Sequence, residues 1–184
     1  RKIVTGTEEL DADADWTVYS AVVFTNGAKL DLKGHTLTLA GFESAAGETA
    51  EITDSVGGGK LVLDIPAGAV VRNKSVKLSG KLHFVKNGAG KYVTYVNGSY
   101  FTGGTELNAG TTALQTDVGY SCPLGAEDNR WVQVNSGAVF DIAGVTDLST
   151  VWLSLNGGTI VNSAGKTTKN IVSFPNIPLL YTVR

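Results

Sequence analysis

The chain has 184 residues, 42% hydrophobic and 17% charged, with a net charge of −2. That is enough apolar material for one domain with a real core, and it excludes a disordered chain. No basic run and no stretch approaching about 18 apolar residues occurs, so neither a nucleic-acid partner nor a transmembrane helical segment is expected. Gly numbers 23 against 4 Pro, an excess that suits many tight turns between strands. The lone Cys122 excludes an internal disulfide, and the absence of Met with a start at Arg1 leads us to expect a processed product or an excised segment.

Residues 1–20 are expected to form an N-terminal cap and first strand. Glu8, Glu9, Asp11, Asp13 and Asp15 make this end acidic, which suits a cap that repels unwanted strand pairing. Asp11, Asp13 and Asp15 resemble the opening of a calcium loop, but Trp16 stands where the turn glycine belongs and Val22 where the bidentate glutamate belongs. Ala12, Ala14, Trp16, Val18, Val22 and Phe24 all occupy even positions, so a strand is predicted to turn these inward and the aspartates outward.

Residues 21–165 carry a repeat. Gly27, Gly47, Gly68, Gly90, Gly110, Gly137 and Gly158 fall 20, 21, 22, 20, 27 and 21 residues apart. Three residues beyond them stand Leu30, Ala50, Val71, Val93, Ala113, Phe140 and Val161. Five residues before them stand Val22, Phe42, Leu63, Val85, Thr105, Val132 and Leu153. The slot after the glycine is apolar in every copy and the slot before it in six of seven, Thr105 being the exception, and such a pattern at this period marks a chain winding round an axis. Each turn is expected to hold at least two short strands joined at a glycine corner, with successive turns pairing in parallel. The expected fold is therefore all-β: a single-domain (1–184), single-stranded right-handed parallel β-helix, or β-solenoid, of about seven to eight coils. Asn26, Asn97, Asn108, Asn135 and Asn156 near the corners are expected to take left-handed backbone or to hydrogen-bond along the stack.

The segment Tyr100-Phe101-Thr102-Gly103-Gly104-Thr105-Glu106-Leu107-Asn108-Ala109-Gly110-Thr111, preceded by Lys86-Asn87-Gly88-Ala89-Gly90, resembles the autotransporter-associated β-strand repeat. Phe101 between Tyr100 and Thr102 is a one-residue departure from that pattern. The resemblance is good over residues 80–115, weaker over 130–165, and compositional over the first 75. It implies a right-handed parallel β-helix in the stalk of a large secreted or surface-displayed bacterial protein, and it carries over no catalytic residue and no cofactor.

The interval of 27 places an inserted loop at 116–130, with Tyr120, Glu127, Asp128 and Arg130 as a possible ligand site and a tolerated insertion as the plainer reading. Asp31 and Asp141 stand at equivalent repeat positions, about 19 Å apart for four coils of about 4.8 Å each, too far to cooperate in sugar hydrolysis. Of the basic residues a polysaccharide lyase of pectin-lyase-like architecture would need, His35, His83, Lys77, Lys81, Lys86 and Arg72 are present without an evident acidic cluster. No metal site is expected, and Cys122 reads as an inert thiol or an intermolecular link. Trp16, Trp131 and Trp152 read either as a sugar-stacking platform or as core and end-cap residues.

Beyond Gly165 the chain turns apolar. Residues 166–184 are expected to form a tail whose Ile171, Val172, Phe174, Ile177, Leu179, Leu180, Tyr181 and Val183 either plug the last coil or dock on a neighbouring copy. Pro175 and Pro178 limit its use as a central strand. A head-to-tail contact does not close, so it makes filaments, and deletion of 171–184 is expected to abolish them. The functional expectation is a non-enzymatic subunit or stalk segment of a bacterial extracellular or cell-surface fibre, with itself as partner. The alternatives are an adhesin that binds a glycan or host surface, and a polysaccharide lyase or hydrolase.

Overall fold

The computed structural model describes residues 1–44, 48–95, 99–115, 124–125, 131–145, 148–163 and 168–173, the last six by their backbone. Among them there is no helix; short strands alternate with turns, and every strand pair is parallel. The longest sheet stacks Ala14–Asp15, Thr36–Leu39, Lys60–Asp64, His83–Asn87, Thr105–Leu107, Trp131–Asn135, Leu148–Asn156 and Thr168–Ser173. A second holds Thr7–Glu9, Lys29–Asp31, Ala50–Asp54, Val76–Gly80 and Tyr100–Phe101. The third face is divided. Lys2–Val4, Val22–Phe24 and Phe42–Ser44 form one sheet; Val70–Asn73, Lys91–Thr94, Gly110–Leu114, Ala138–Asp141 and Thr159–Val161 form another. The chain is a β-solenoid of about six turns.

Parallel stacking puts like side chains one above another, so the inward columns are mostly apolar files. In the long sheet, Leu37, Leu61, Phe84, Thr105, Val132 and Leu153 are successive register partners. All six are essentially without solvent contact. Aromatic rings cross the interior between faces: Phe24 meets Phe42 edge-on at 6.4 Å, and Tyr92 lies 6.4 Å from Phe42 and 5.4 Å from Phe84. Burial of such files at about 25 cal/mol per Å² is what holds the turns together.

The apolar slots are buried as expected, except Val161, which is half-buried, but the glycine register does not mark one corner. Gly27 donates its N–H to Thr49 O at the corner entering the sheet of Lys29–Asp31 and Ala50–Asp54. From Gly68 onward the glycines precede strands of the Val70–Val161 sheet instead. Leu30 therefore pairs with Ile52 rather than Ala50, and Val71 with Tyr92 rather than Val93. The cause is a trade between corners. Asn73 closes the second corner with its own amide, bonding Val76 N–H and Val76 O, so no glycine is needed there. The other corner grows to Ile65-Pro66-Ala67-Gly68-Ala69.

Two further expectations are corrected. The even-position pattern fails on both sides of Ala14–Asp15: Ala12 is exposed where the chain bends at 11–12, and Val18 is 83% exposed where it turns over 17–20. Asp31 and Asp141 are not equivalent, since Lys29–Asp31 and Ala138–Asp141 belong to different sheets. Asp31 is buried rather than solvent-exposed, and it accepts N–H from Lys33 and Ser55.

The tail boundary also moves. Thr168–Ser173 continues the long sheet, pairing Leu153 with Ile171 and Ser154 with Val172. Phe174, Ile177, Leu179, Leu180, Tyr181 and Val183 lie outside the described residues. So do Tyr120, Cys122, Glu127, Asp128 and Arg130 of the inserted loop. Within that insertion Leu124 is described, and it is buried in the core.

Candidate functional site

The outer face of the long sheet gathers Trp131, Trp152, Asn108, Asn135 and Asn156. Alternation along its strands directs Trp131, Gln133 and Asn135 outward while Val132 and Val134 fill the core. The next strand repeats the arrangement with Trp152, Ser154 and Asn156, each in register with its counterpart. Three outward files result: a tryptophan file, a polar file of Glu106, Gln133 and Ser154, and an asparagine file.

The asparagine file is a hydrogen-bonded ladder. Asn108 donates to Asn87 Oδ1 at 3.0 Å, Asn135 to Asn108 Oδ1, and Asn156 to Asn135 Oδ1 at 3.0 Å. Gln133 adds a bond to Asn135 Oδ1 at 2.7 Å. Of the two roles expected for Asn108, Asn135 and Asn156, left-handed backbone or bonding along the stack, the structure shows the second. Asn87 joins them unforeseen, because it precedes its corner by three residues rather than two. Asn26 stands elsewhere, accepting Thr49 N–H at 3.3 Å, and Asn97 lies outside the described residues.

Trp131 owes its pose to Gly104, the residue beside it in the preceding strand level. Gly104 has φ +86°, and a Cβ there would sit 2.7 Å from Trp131 Cε3. Glycine thus leaves room for the indole over that position. Trp16 is different: it packs against the core at the first turn, with Lys2 Nζ 4.4 Å above its ring. It serves as an end cap, one of the two readings open from sequence, whereas Trp131 and Trp152 share an outer face.

The basic residues are dispersed. His35 Nδ1 lies 3.6 Å from Asp13, whose carboxylate also accepts Thr36 N–H. His83 Nε2 lies 3.3 Å from Glu106 and its Nδ1 faces Gly103 O. Lys81 donates to Val56 O, and Lys77 lies near Glu51. Burial would raise the Glu51 carboxyl, but the Ser79 hydroxyl and Lys29 outweigh it and lower its pKa. Arg72 borders a groove of about 440 Å³ where Phe42–Ser44 stops pairing and Val70–Asn73 begins, with Glu43, Ser44 and Lys74 on its walls.

Asp11, Asp13 and Asp15 are exposed; Asp13 reaches the next turn through Thr36 and His35, and Asp15 bonds locally. Asp15 accepts the backbone N–H and then the hydroxyl of Thr17, which lower its pKa. Among the described residues no group of three His, Cys, Asp or Glu side chains converges as a metal site would require.

Two buried ions escaped the sequence reading. Lys86 faces inward between Leu63 and Leu107, without solvent contact. Its Nζ donates to Asn87 O, Gly88 O and Ala109 O at 2.8, 2.8 and 2.9 Å. Burial lowers its pKa to about 8 against a smaller opposing pull from Asp64. Asp54 is likewise buried, accepting N–H bonds from Gly34, Val56 and Gly59. Burial alone would raise its carboxyl, yet the N–H groups of Gly59, Gly57, Gly34 and Val56 bring it below the ordinary carboxylate value. The run Val56-Gly57-Gly58-Gly59 is the one sequence sign of that cage, since close backbone donors need small residues.

These features define a parallel β-solenoid with a polar, aromatic outer face and carbonyl- and amide-lined interior ion sites. No family model, no curated protein and no solved structure matches the chain. No helix is long and apolar enough to cross a membrane.

Proposed function

We propose that this chain is a non-enzymatic structural protein, the repeating subunit or a stalk segment of a bacterial extracellular or cell-surface fibre. In this reading the solenoid is right-handed, of the autotransporter-repeat type, with seven to eight coils when each strand of the eight-stranded sheet marks a full or partial coil. The observation that supports it is the uniform parallel stack. Lys2–Val4, Thr7–Glu9 and Ala14–Asp15 each pair on one side, leaving an edge directed along the axis. In a parallel stack the opposite end offers the complementary edge in the same chain direction, so copies add head to tail without closing.

Negative-stain electron microscopy over a concentration series tests the reading. Filaments of the solenoid's width are expected from the full chain. Because Thr168–Ser173 belongs to the long sheet, the tail contribution is tested by removing only residues 174–184, which is expected to abolish the filaments. Monodisperse particles of the full chain at every concentration overturn the proposal.

A further inference from the structure

We propose that the outer face of the long sheet around Trp131 and Trp152 binds a neutral, hydroxyl-rich glycan, with sugar rings stacked on the indoles. This is independent of the assembly reading, which uses the ends of the solenoid and not its side.

Trp131 and Trp152 are direct register partners, so their Cα atoms lie about one strand spacing apart, near 4.8 Å. Trp152 is 41% exposed, and the half-buried Trp131 indole lies against Gly104, where a Cβ would come within 2.7 Å of it. A large aromatic surface on an outer solenoid face offers no core contact to its exposed side, whereas a pyranose presents a matching apolar C–H face. Packed against the backbone at Gly104, the Trp131 indole already has its place in the free chain, which lowers the ordering cost of binding.

The polar groups beside the indoles suit hydroxyl ligands. Gln133 and Asn156 flank the tryptophan file with amides that both donate and accept. Ser154, the register partner of Gln133 on the strand that carries Trp152 and Asn156, is 3% exposed and its Oγ has no hydrogen-bond partner. Among Glu106, Asn108, Trp131, Gln133, Asn135, Trp152, Ser154 and Asn156, the only charged side chain is Glu106, and it lies against His83. Among the described residues the basic group beside this strip is His83, already against Glu106, so the strip offers an acidic polymer little to pair with. Few polar groups around an aromatic platform is the pattern that fixes an orientation while stacking supplies contact.

A purely structural pair of tryptophans would stabilise the sheet without recognising sugars. Intrinsic tryptophan fluorescence of the full chain separates the two. Titration with cellohexaose, mannohexaose, galactan oligosaccharides and, as an acidic control, polygalacturonate is expected to give a saturable change with at least one neutral glycan. That binding should be insensitive to salt, weakened at least tenfold in Trp152→Ala and several-fold in Gln133→Ala, and unchanged in Trp16→Phe. Far-ultraviolet circular dichroism confirms that each variant retains its sheet; if Trp152→Ala does not fold, Gln133→Ala carries the test. No response to any neutral glycan, a response to polygalacturonate alone, or binding that survives Gln133→Ala and Trp152→Ala overturns the proposal.

Discussion

Lys86 puts an ammonium group into a file otherwise made of leucine and valine. Three carbonyls from two successive corners take its three protons, which offsets part of the desolvation cost. The unfolded lysine titrates at 10.5 and the folded one at about 8, so between those values the unfolded chain binds more protons and stability rises with pH. Buried Tyr92 acts in the opposite sense higher up: burial pushes its hydroxyl from 10.0 to about 12, so stability falls once pH passes 10.0. Urea midpoints are therefore expected to climb from about pH 8 to 10 and to fall beyond; in Lys86→Met the climb disappears and the fall remains. Thr105 Oγ1 and Thr112 Oγ1 are buried without a hydrogen-bond partner. Replacing Thr105 with the isosteric Val removes an unmet polar group from the core, and urea denaturation should show a gain of about 1 kcal/mol.

At the scale of strands, corners and ladders decide register. Parallel strands with one buried face tolerate no one-residue slip, and the asparagine file adds a polar check at the strand ends. Asn135 sits at its centre, donating to Asn108 and accepting from both Asn156 and Gln133. Asn135→Ala leaves those neighbours short of partners and is expected to cost about 2 kcal/mol, read as a lowered thermal midpoint with the β spectrum retained. Asn26→Ala, which loses one exposed bond to Thr49, should stay within about 0.5 kcal/mol of the parent. Asp31 and Asp54 lace two turns together, Asp31 accepting Ser55 N–H from the next level and Asp54 accepting Gly34 N–H from the level before.

For the whole molecule, the first turn shows how a solenoid end is managed. Trp16 packs over the end of the core beneath Lys2, and Val4 is fully buried although it belongs to an edge strand. The apolar interior is thus closed while the backbone edge stays open. Lys2 N–H and Val4 O bond toward the second turn, so strand alternation turns the polar backbone groups of Ile3 toward the open edge, and Ile3 is 61% exposed. Ile3→Pro removes one edge donor and adds bulk at that surface. Sedimentation velocity should show it confined to the monomer where the parent chain polymerises, with its thermal midpoint within a few degrees of the parent.

The all-β character, the winding, and the burial of the apolar slots followed from local pattern: Leu30, Phe42, Val132 and Leu153 could be assigned to the interior because alternation and period are properties of neighbouring residues. Which corner each glycine occupies could not be read that way. Asn73 can replace a glycine by bonding Val76 with its own side chain, and that exchange keeps the spacing near 21 or 22 residues while moving the register to another face. The same limit hid Lys86 and Asp54, since a charge is counted as exposed until the carbonyls or amides of another turn are placed around it. Trp16 and Trp152 make the contrast plain. Their residue type allowed both core and surface roles, and only the stacking of distant segments put one over the end of the core and the other on an outer face.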